Sequence, residues 1–181
     1  MIYLTSDFHF CHDKDFIYKE RGFDSVEEMN SKIVENYNNI IKDDDIVYIV
    51  GDCMLNNDEE GIKLLKQLKG HKYLAIGNHD TDKRIKLYRE NNIFEDIQMG
   101  YRIKYKSKTF IISHYPTMVD NTTKDNVFNL FGHTHQNNEY FYNRHLNMIN
   151  IGVDKHKLKP ISLDNVINIY NYYYNKHMCA F

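Results

Sequence analysis

Apolar residues recur with helical spacing in four parts of the chain. The clearest part is the segment 25–41, where Ser25 and Glu28 form a capping-box pattern and an apolar stripe from Val26 to Ile41 follows. The same kind of pattern predicts three further helices, over residues 58–69, 81–91 and 163–175.

Shorter apolar runs lie between these helices and predict strands. The runs cover residues 2–5, 45–50, 72–76, 127–131 and 146–151, and a hairpin is predicted over 101–112. Polar side chains follow these strands where each one ends. In chain order they are Asp7 and His9, then Asp52, then Asn78, His79 and Asp80, then His114, then His133 and His135, and last Asp154. Because ligands of open α/β sheets collect beyond the carboxyl ends of the strands, we expect these residues to form one convergent site.

Composition and charge narrow the class of protein. With 181 residues, the chain is most simply one domain over 1–181, and a hydrophobic content of 42% is ordinary for a globular protein. A net charge of -2 does not support a large nucleic-acid partner. Neither a bilayer-spanning apolar run nor a secretory signal is present, so we expect a cytoplasmic protein with no membrane partner.

The three cysteines are odd in number and have no C-x-x-C spacing. This argues against a disulfide framework and against a thiolate zinc site. We therefore expect Cys11, Cys53 and Cys179 to be small packing residues.

The candidate ligands are carboxylates, imidazoles and one amide oxygen. They are Asp7, His9, Asp52, Asn78, His114, His133 and His135. Oxygen and nitrogen ligands of this kind suit divalent cations, with Mn²⁺ favoured and Fe²⁺, Zn²⁺ or Ni²⁺ as alternatives. The set is too large for one ion, so two ions roughly 3.5–4 Å apart and bridged by one carboxylate are the natural arrangement.

The order of these residues carries a resemblance. D-x-H at Asp7 and His9, G-D at Gly51 and Asp52, G-N-H-D over 77–80, a lone His114 and G-H-x-H over 132–135 resemble the calcineurin-like metallophosphoesterase superfamily. The closing stretch "NIGVDKHKLKPISLDNV" is similar to that of its small, cap-less prokaryotic and viral members.

The resemblance implies a fold and a set of roles. The fold would be α/β, a four-layer αββα sandwich of two mixed β-sheets flanked by helices, with a dimetal site at the carboxyl ends of the strands. One ion would take Asp7, His9 and His135, the other Asn78, His114 and His133, and Asp52 would bridge them. A metal-bridging hydroxide would attack phosphorus, and His79 would donate a proton to the leaving oxygen. Asp80 would be a supporting or capping carboxylate.

Three further residues are candidates for substrate binding. Arg21, in "RGF", stands near the place where relatives carry Arg-Pro-Phe and would bind phosphate. His12 either approaches the site or is a solvated loop residue, and Asp154 either contacts substrate, orients a ligand or bonds within its own turn.

We expect a metal-dependent phosphoesterase that hydrolyses a small phosphorylated substrate, with phosphodiesters or nucleotide-type substrates favoured. The alternative is a catalytically inactive scaffold of the same fold that binds proteins. Stretches reading "GDCML" and "GNHD" differ from those of protein Ser/Thr phosphatases, and the net charge argues against a nuclease. The oligomeric state stays open.

Overall fold

The structure is a computed structural model that describes residues 1–119, 127–136 and 147–178, with side chains up to residue 172 in the last range. Cys179 lies outside the described residues. The strands are β1 (Ile2–Thr5), β2 (Ile46–Ile49), β3 (His71–Ala75), β4 (Asp96–Gln98), β5 (Gly100–Tyr105), β6 (Lys108–Ser113), β7 (Val127–Phe131), β8 (Met148–Asn150) and β9 (Ile161–Ser162). The helices are α1 (Asp15–Tyr18), α2 (Val26–Asn38), α3 (Asp58–Lys66), α4 (Asp82–Glu90) and α5 (Leu163–Met178), and a 3₁₀ turn covers Val153–Lys155.

The strands form two mixed sheets. The first has the order β4-β3-β2-β1-β9, in which β1 to β4 are parallel and β9 pairs antiparallel with β1. The second has the order β5-β6-β7-β8, in which only the hairpin of β5 and β6 is antiparallel. The parallel strands of each sheet therefore bring their carboxyl ends, and the loops that follow them, to one edge.

The alternation of side chains along β1 and β2 explains how the layers pack. Val47 and Ile49 face α2 and join a buried cluster with Ile33, whereas Leu4 and Val50 face the second sheet and join a cluster with its apolar residues. Helices α2, α3 and α4 contribute to the first cluster, and α5 packs on the second through Leu163, Val166 and Tyr170. The prediction of an α/β fold with two mixed sheets flanked by helices is confirmed.

All four predicted helices are present, and the cap predicted for α2 is present in part. The hydroxyl of Ser25 accepts a hydrogen bond from the backbone N–H of Glu28 at 3.2 Å. The carboxylate of Glu28 accepts from the N–H of Asp24 at 3.1 Å, one residue earlier than in a standard capping box.

The predicted strands are also present, and besides the 3₁₀ turn the described part of the chain adds three short helices or strands that were not predicted. These are α1, β4 and β9, which contain four, three and two residues. Elements of this length show no measurable periodicity in a sequence, since a helical pattern needs several turns and a strand pattern several alternations. Cys11 and Cys53 are buried free thiols, as expected of packing residues. Among the described residues, no helix combines the length and apolar character needed to cross a membrane.

Candidate metal centre

Five of the candidate ligands have a left-handed backbone conformation. Their φ angles are 58° at Asp7, 51° at His9, 55° at Asp52, 68° at His133 and 47° at His135. Asp and His tolerate this region better than most residues, but it still costs on the order of 1–3 kcal/mol each. Such outliers persist where the surrounding structure holds them, and they cluster at functional sites.

Two glycines in the predicted motifs let the strand ends approach one another. A Cβ atom on Gly132 would lie 1.9 Å from Oγ of Ser6 and 2.6 Å from Oδ2 of Asp7. A Cβ atom on Gly77 would lie 2.3 Å from Oδ1 of Asp52. No side chain fits at either place, so the glycines of G-H-x-H and G-N-H-D are required by the close packing around the carboxylates.

The first group of acceptors consists of Asp7, His9 and His135, whose ligand atoms all lie within 4.8 Å of one another. Asp7 is fully buried; its carboxylate accepts from the hydroxyl of Ser6 at 2.6 Å and from the backbone N–H of His133 at 3.0 Å. Burial raises the pKa of Asp7, although neighbouring imidazoles and Ser6 oppose the shift. A cation at this position would compensate the buried charge.

The second group consists of Asp52, His114 and His133, again within 4.8 Å of one another. His114 donates from Nδ1 to the carbonyl oxygen of Val50 at 2.9 Å, because a carbonyl can only accept. In a neutral ring, Nε2 is then an acceptor, and it faces Oδ1 of Asn78 at 2.9 Å. Two acceptors directed at one small volume are the arrangement that a cation stabilises.

Asp52 belongs to the second group and also lies close to the first. Its Oδ2 atom is 3.5 Å from Nε2 of His114 in the second group and 3.7 Å from Nε2 of His9 in the first. Its Oδ1 atom accepts from the backbone N–H of His79 at 2.8 Å. His9, Asp52 and His79 form a third set of atoms within 4.8 Å, so the geometry alone permits His79 to be either a ligand or a neighbour of the ligands.

The surroundings of the His9 ring show whether these residues fit a metal ion. In the described part of the chain, both of its ring nitrogens are buried and neither has a hydrogen-bond partner. Burial, followed by the charge of Arg21, keeps the pKa of His9 well below its usual range, so the ring is neutral and offers a lone pair. An unsatisfied buried polar group costs about 1–3 kcal/mol, which a bound cation would remove. The donor set of carboxylate, imidazole and amide oxygens fits divalent cations.

Asp154 orients His135. Its Oδ2 atom accepts from Nδ1 of His135 at 2.7 Å, which leaves Nε2 of that ring for the first group. Burial raises the pKa of Asp154, but the hydrogen bond from His135 and the charge of Arg21 outweigh it and lower the pKa to about 2. Of the alternatives for Asp154, the structure favours the orientation of a ligand.

Arg21 is expected to bind phosphate, but the structure engages its side chain within the protein. Its side chain is only 4% exposed and forms two hydrogen bonds to Asp154, at 2.7 and 3.0 Å. The remaining N–H groups donate to the carbonyl oxygens of Phe8 and Asp7, both at 2.8 Å, and to the sulfur of Met29. With every donor engaged, Arg21 fixes the backbone after β1 instead of reaching a substrate.

His12 does approach the site. Its ring centroid lies 5.5 Å from that of His9, and burial lowers its pKa. In the described part of the chain, its buried Nδ1 atom has no hydrogen-bond partner. The structure thus places His12 beside the first group and not in free solvent.

Three residues support the site, of which Asp80 stands in the predicted G-N-H-D motif, whereas Arg84 and Tyr88 have no signal in the sequence. Asp80 accepts from the backbone N–H groups of Asp52, Cys53 and Gly77 and from the hydroxyl of Tyr88, so it clamps two strand-end loops together. Arg84 donates to the carbonyl oxygen of His79 at 2.8 Å and also pairs with Asp58. Tyr88 and Arg84 belong to the predicted helix α4, but helical periodicity does not show which loop a polar side chain will reach.

Comparisons with known proteins agree with this geometry. The model of the family described as calcineurin-like phosphoesterase matches residues 1–175, which confirms the resemblance. An uncharacterised protein of Methanocaldococcus jannaschii is 34% identical over 173 residues, covering 93% of this chain and 90% of its own. The Gene 66 protein of Mycobacterium phage L5 is 24% identical over 198 residues, with 94% of each chain covered. The solved structure of a protein from Aquifex aeolicus is similar with a TM-score of 0.75 and 30% identity, over 93% of this chain and 98% of that one.

Proposed function

Because the chain belongs to the calcineurin-like phosphoesterase family, we propose that it hydrolyses phosphodiesters with the help of two divalent cations held by seven side chains. The observation that carries the proposal is the position of Asp52, a buried member of the second acceptor group whose Oδ2 atom also lies 3.7 Å from Nε2 of His9 in the first. Mn²⁺ is the cation that we favour.

In this proposal Asp7, His9 and His135 hold one cation, Asn78, His114 and His133 hold the other, and Asp52 is shared. Two hydrogen bonds support the assignment, since the backbone carbonyl of Val50 and the side-chain carboxylate of Asp154 fix the protonated nitrogens of His114 and His135. When bound, two divalent cations would supply Lewis-acid catalysis, by acidifying water and by neutralising negative charge on the phosphoryl group.

His79 is proposed to give the proton that the leaving oxygen needs. Its peptide group is held from both sides, by Oδ1 of Asp52 at the N–H and by Arg84 at the carbonyl. Its side chain is 40% exposed, so a substrate can reach the ring, and Nε2 lies 3.9 Å from Oδ2 of Asp52. A fixed backbone with an accessible imidazole suits general acid catalysis better than permanent ligation does.

The surroundings of Arg21 support a diester over a monoester. A monoester dianion carries one more negative charge than a diester, and a positive side chain beside the cations would help to bind it. Arg21 was the expected source of that charge, and all of its donors are engaged within the protein. A diester monoanion does not need it.

The test is hydrolysis by metal-stripped protein reloaded with Mn²⁺. The panel contains bis-p-nitrophenyl phosphate, p-nitrophenyl phosphate, cyclic dinucleotides and dinucleoside polyphosphates. We expect hydrolysis of the bis ester that requires added metal and that Asp52→Asn abolishes. Failure of every ester to react, with two ions bound, would favour the inactive scaffold. Faster hydrolysis of p-nitrophenyl phosphate than of the bis ester would refute the diester preference alone.

A further inference from the structure

Two exposed aromatic rings border the candidate metal centre. Phe16, in α1, is 61% exposed, and Tyr115, which follows β6, is 51% exposed. Single exposed apolar residues are common and need no explanation. Each of these two rings packs against a histidine in the site or beside it.

Tyr115 borders the second acceptor group. Its ring centroid lies 4.7 Å from that of His133 and 5.2 Å from that of His114, with an edge-on arrangement in both cases. The carbonyl oxygen of Tyr115 accepts hydrogen bonds from the hydroxyls of Ser113 and Thr117, which hold its backbone in place. The ring is therefore positioned beside the proposed ligands while about half of its surface stays open.

Phe16 lies on the side of the first group. Its ring is 5.6 Å from that of His12, which is in turn 5.5 Å from that of His9. Together with Ile17 and His135 it lines a pocket of about 270 Å³. This volume is below the ~300–1,000 Å³ of sites for drug-sized ligands, so it suits a single ring system. His135 lines the pocket and also belongs to the first group, so the pocket adjoins the metal centre at this residue.

The charges around this pocket indicate a neutral occupant. Arg21 and Asp154 line it but neutralise each other through their two hydrogen bonds. Glu20 lines it as well and adds a carboxylate, which disfavours a second phosphate group at this place. The lining combines the apolar side chains of Phe16 and Ile17 with the polar side chains of Glu20 and Gln136, which suits a planar ring that carries hydrogen-bond donors, such as a nucleobase.

We propose that Phe16 and Tyr115 determine specificity by stacking on planar rings of the substrate, so that the favoured substrate is a phosphodiester with a nucleoside on each ester oxygen. This inference rests on the proposed phosphodiesterase function of the site. Stacking on aromatic side chains tolerates any base sequence, because every base has a π-face.

The experiment compares three diesters with Mn²⁺-loaded protein: thymidylyl-(3′→5′)-thymidine, ethyl thymidine 5′-phosphate and diethyl phosphate. All leaving groups are alkoxides, so differences in kcat/KM report binding of the nucleosides. We expect each added nucleoside to raise kcat/KM by roughly 5- to 150-fold, the range of stacking of one base on one aromatic residue. Phe16→Leu and Tyr115→Leu keep apolar contacts but lose the aromatic ring, and each should reduce the advantage of the dinucleoside over diethyl phosphate by about tenfold.

Conservative variants and a distant control separate stacking from folding. Tyr115→Phe and Phe16→Tyr should restore the advantage. The distant control is Tyr172→Ala, which alters a 63% exposed tyrosine on α5. The neighbouring Tyr170 packs against Lys108 at the start of β6. His114 follows the other end of that strand, so Tyr172 lies away from the site. The control variant should change neither selectivity nor activity. Titration calorimetry with thymidine 5′-monophosphate and with methyl phosphate measures the same preference without turnover.

The outcomes distinguish this inference from the function on which it rests. If bis-p-nitrophenyl phosphate is hydrolysed but the three diesters react within about twofold of one another, the stacking inference is wrong and the phosphodiesterase function stands. The inference is also wrong if the selectivity survives in both leucine variants. If no diester is hydrolysed by protein with two ions bound, both the function and the inference fail.

Discussion

His135 donates from Nδ1 to Oδ2 of Asp154 at 2.7 Å, and Asp154 in turn receives two hydrogen bonds from the buried guanidinium of Arg21. This chain joins the loop after β7, the 3₁₀ turn after β8 and the segment between α1 and α2. It fixes which nitrogen of His135 carries the proton and therefore which one can face a cation.

Asp154→Asn should weaken the binding of one cation. The variant keeps an oxygen but loses the charge that holds the Nδ1–H tautomer, and substitutions of such supporting groups cost about 10–100-fold in metal affinity or activity. Calorimetric titration with Mn²⁺ measures the loss. Asp164→Asn is the control, because Asp164 is an exposed carboxylate bonded to Tyr105 and Lys106. Equal affinities in both variants would show that Asp154 has no part in metal binding.

Asp52→Asn and His114→Ala should differ in which ions they remove. Asp52 lies near acceptors of both groups, so loss of its charge should weaken both ions, whereas His114 is a member of the second group. We expect elemental analysis to find two ions per chain in the parent protein, fewer than one in Asp52→Asn and about one in His114→Ala, consistent with a bridging carboxylate.

His71→Ala serves as the control for that pair. His71 is a histidine at the start of β3, bonded to Glu95 at 2.9 Å and at the opposite end of the strand from Asn78. The His71→Ala variant should therefore still bind two ions per chain. Small, equal losses in Asp52→Asn and His114→Ala would contradict the shared position of Asp52.

The sequence was sufficient to locate the ends of the strands, because a buried apolar run that stops at Gly77 or Gly51 marks the edge of a sheet. It could not show how distant segments pair there. Arg21 and Asp154 are far apart in sequence, and nothing in "RGF" indicates that the guanidinium turns inward to a carboxylate instead of outward to phosphate. Periodicity reports which face of an element is buried, whereas such pairings depend on the packing of loops against one another.

Mn²⁺ should raise the melting temperature of the protein. Without cations, the folded state is destabilised by the buried carboxylate of Asp7 and by the ring of His9, which has no hydrogen-bond partner among the described residues. A ligand at 100 times its Kd stabilises by about 2.7 kcal/mol per site, and for a chain of this size each kcal/mol raises Tm by roughly 2–4 °C, so a shift of about 5–10 °C per site follows. Scanning calorimetry with and without Mn²⁺ measures it. Asp52→Asn should show a smaller shift at the same Mn²⁺ concentration, and an equal shift would mean that the ions bind elsewhere.

His79→Asn separates the proton donor from the ligands. The backbone of residue 79 is held by Asp52 and Arg84 whichever side chain it carries, so the fold and both bound ions should survive. Loss of one general acid lowers kcat by roughly 10²–10⁴. The loss should be largest for alkyl or ribose leaving groups and smaller for p-nitrophenolate, which needs little protonation to depart.

Asn78→Ala, one residue earlier, should instead lower activity and the occupancy of one ion together, since Oδ1 of Asn78 faces His114. If His79→Asn loses an ion, the third set of acceptors, in which His79 joins His9 and Asp52, is a true binding site and His79 is a ligand.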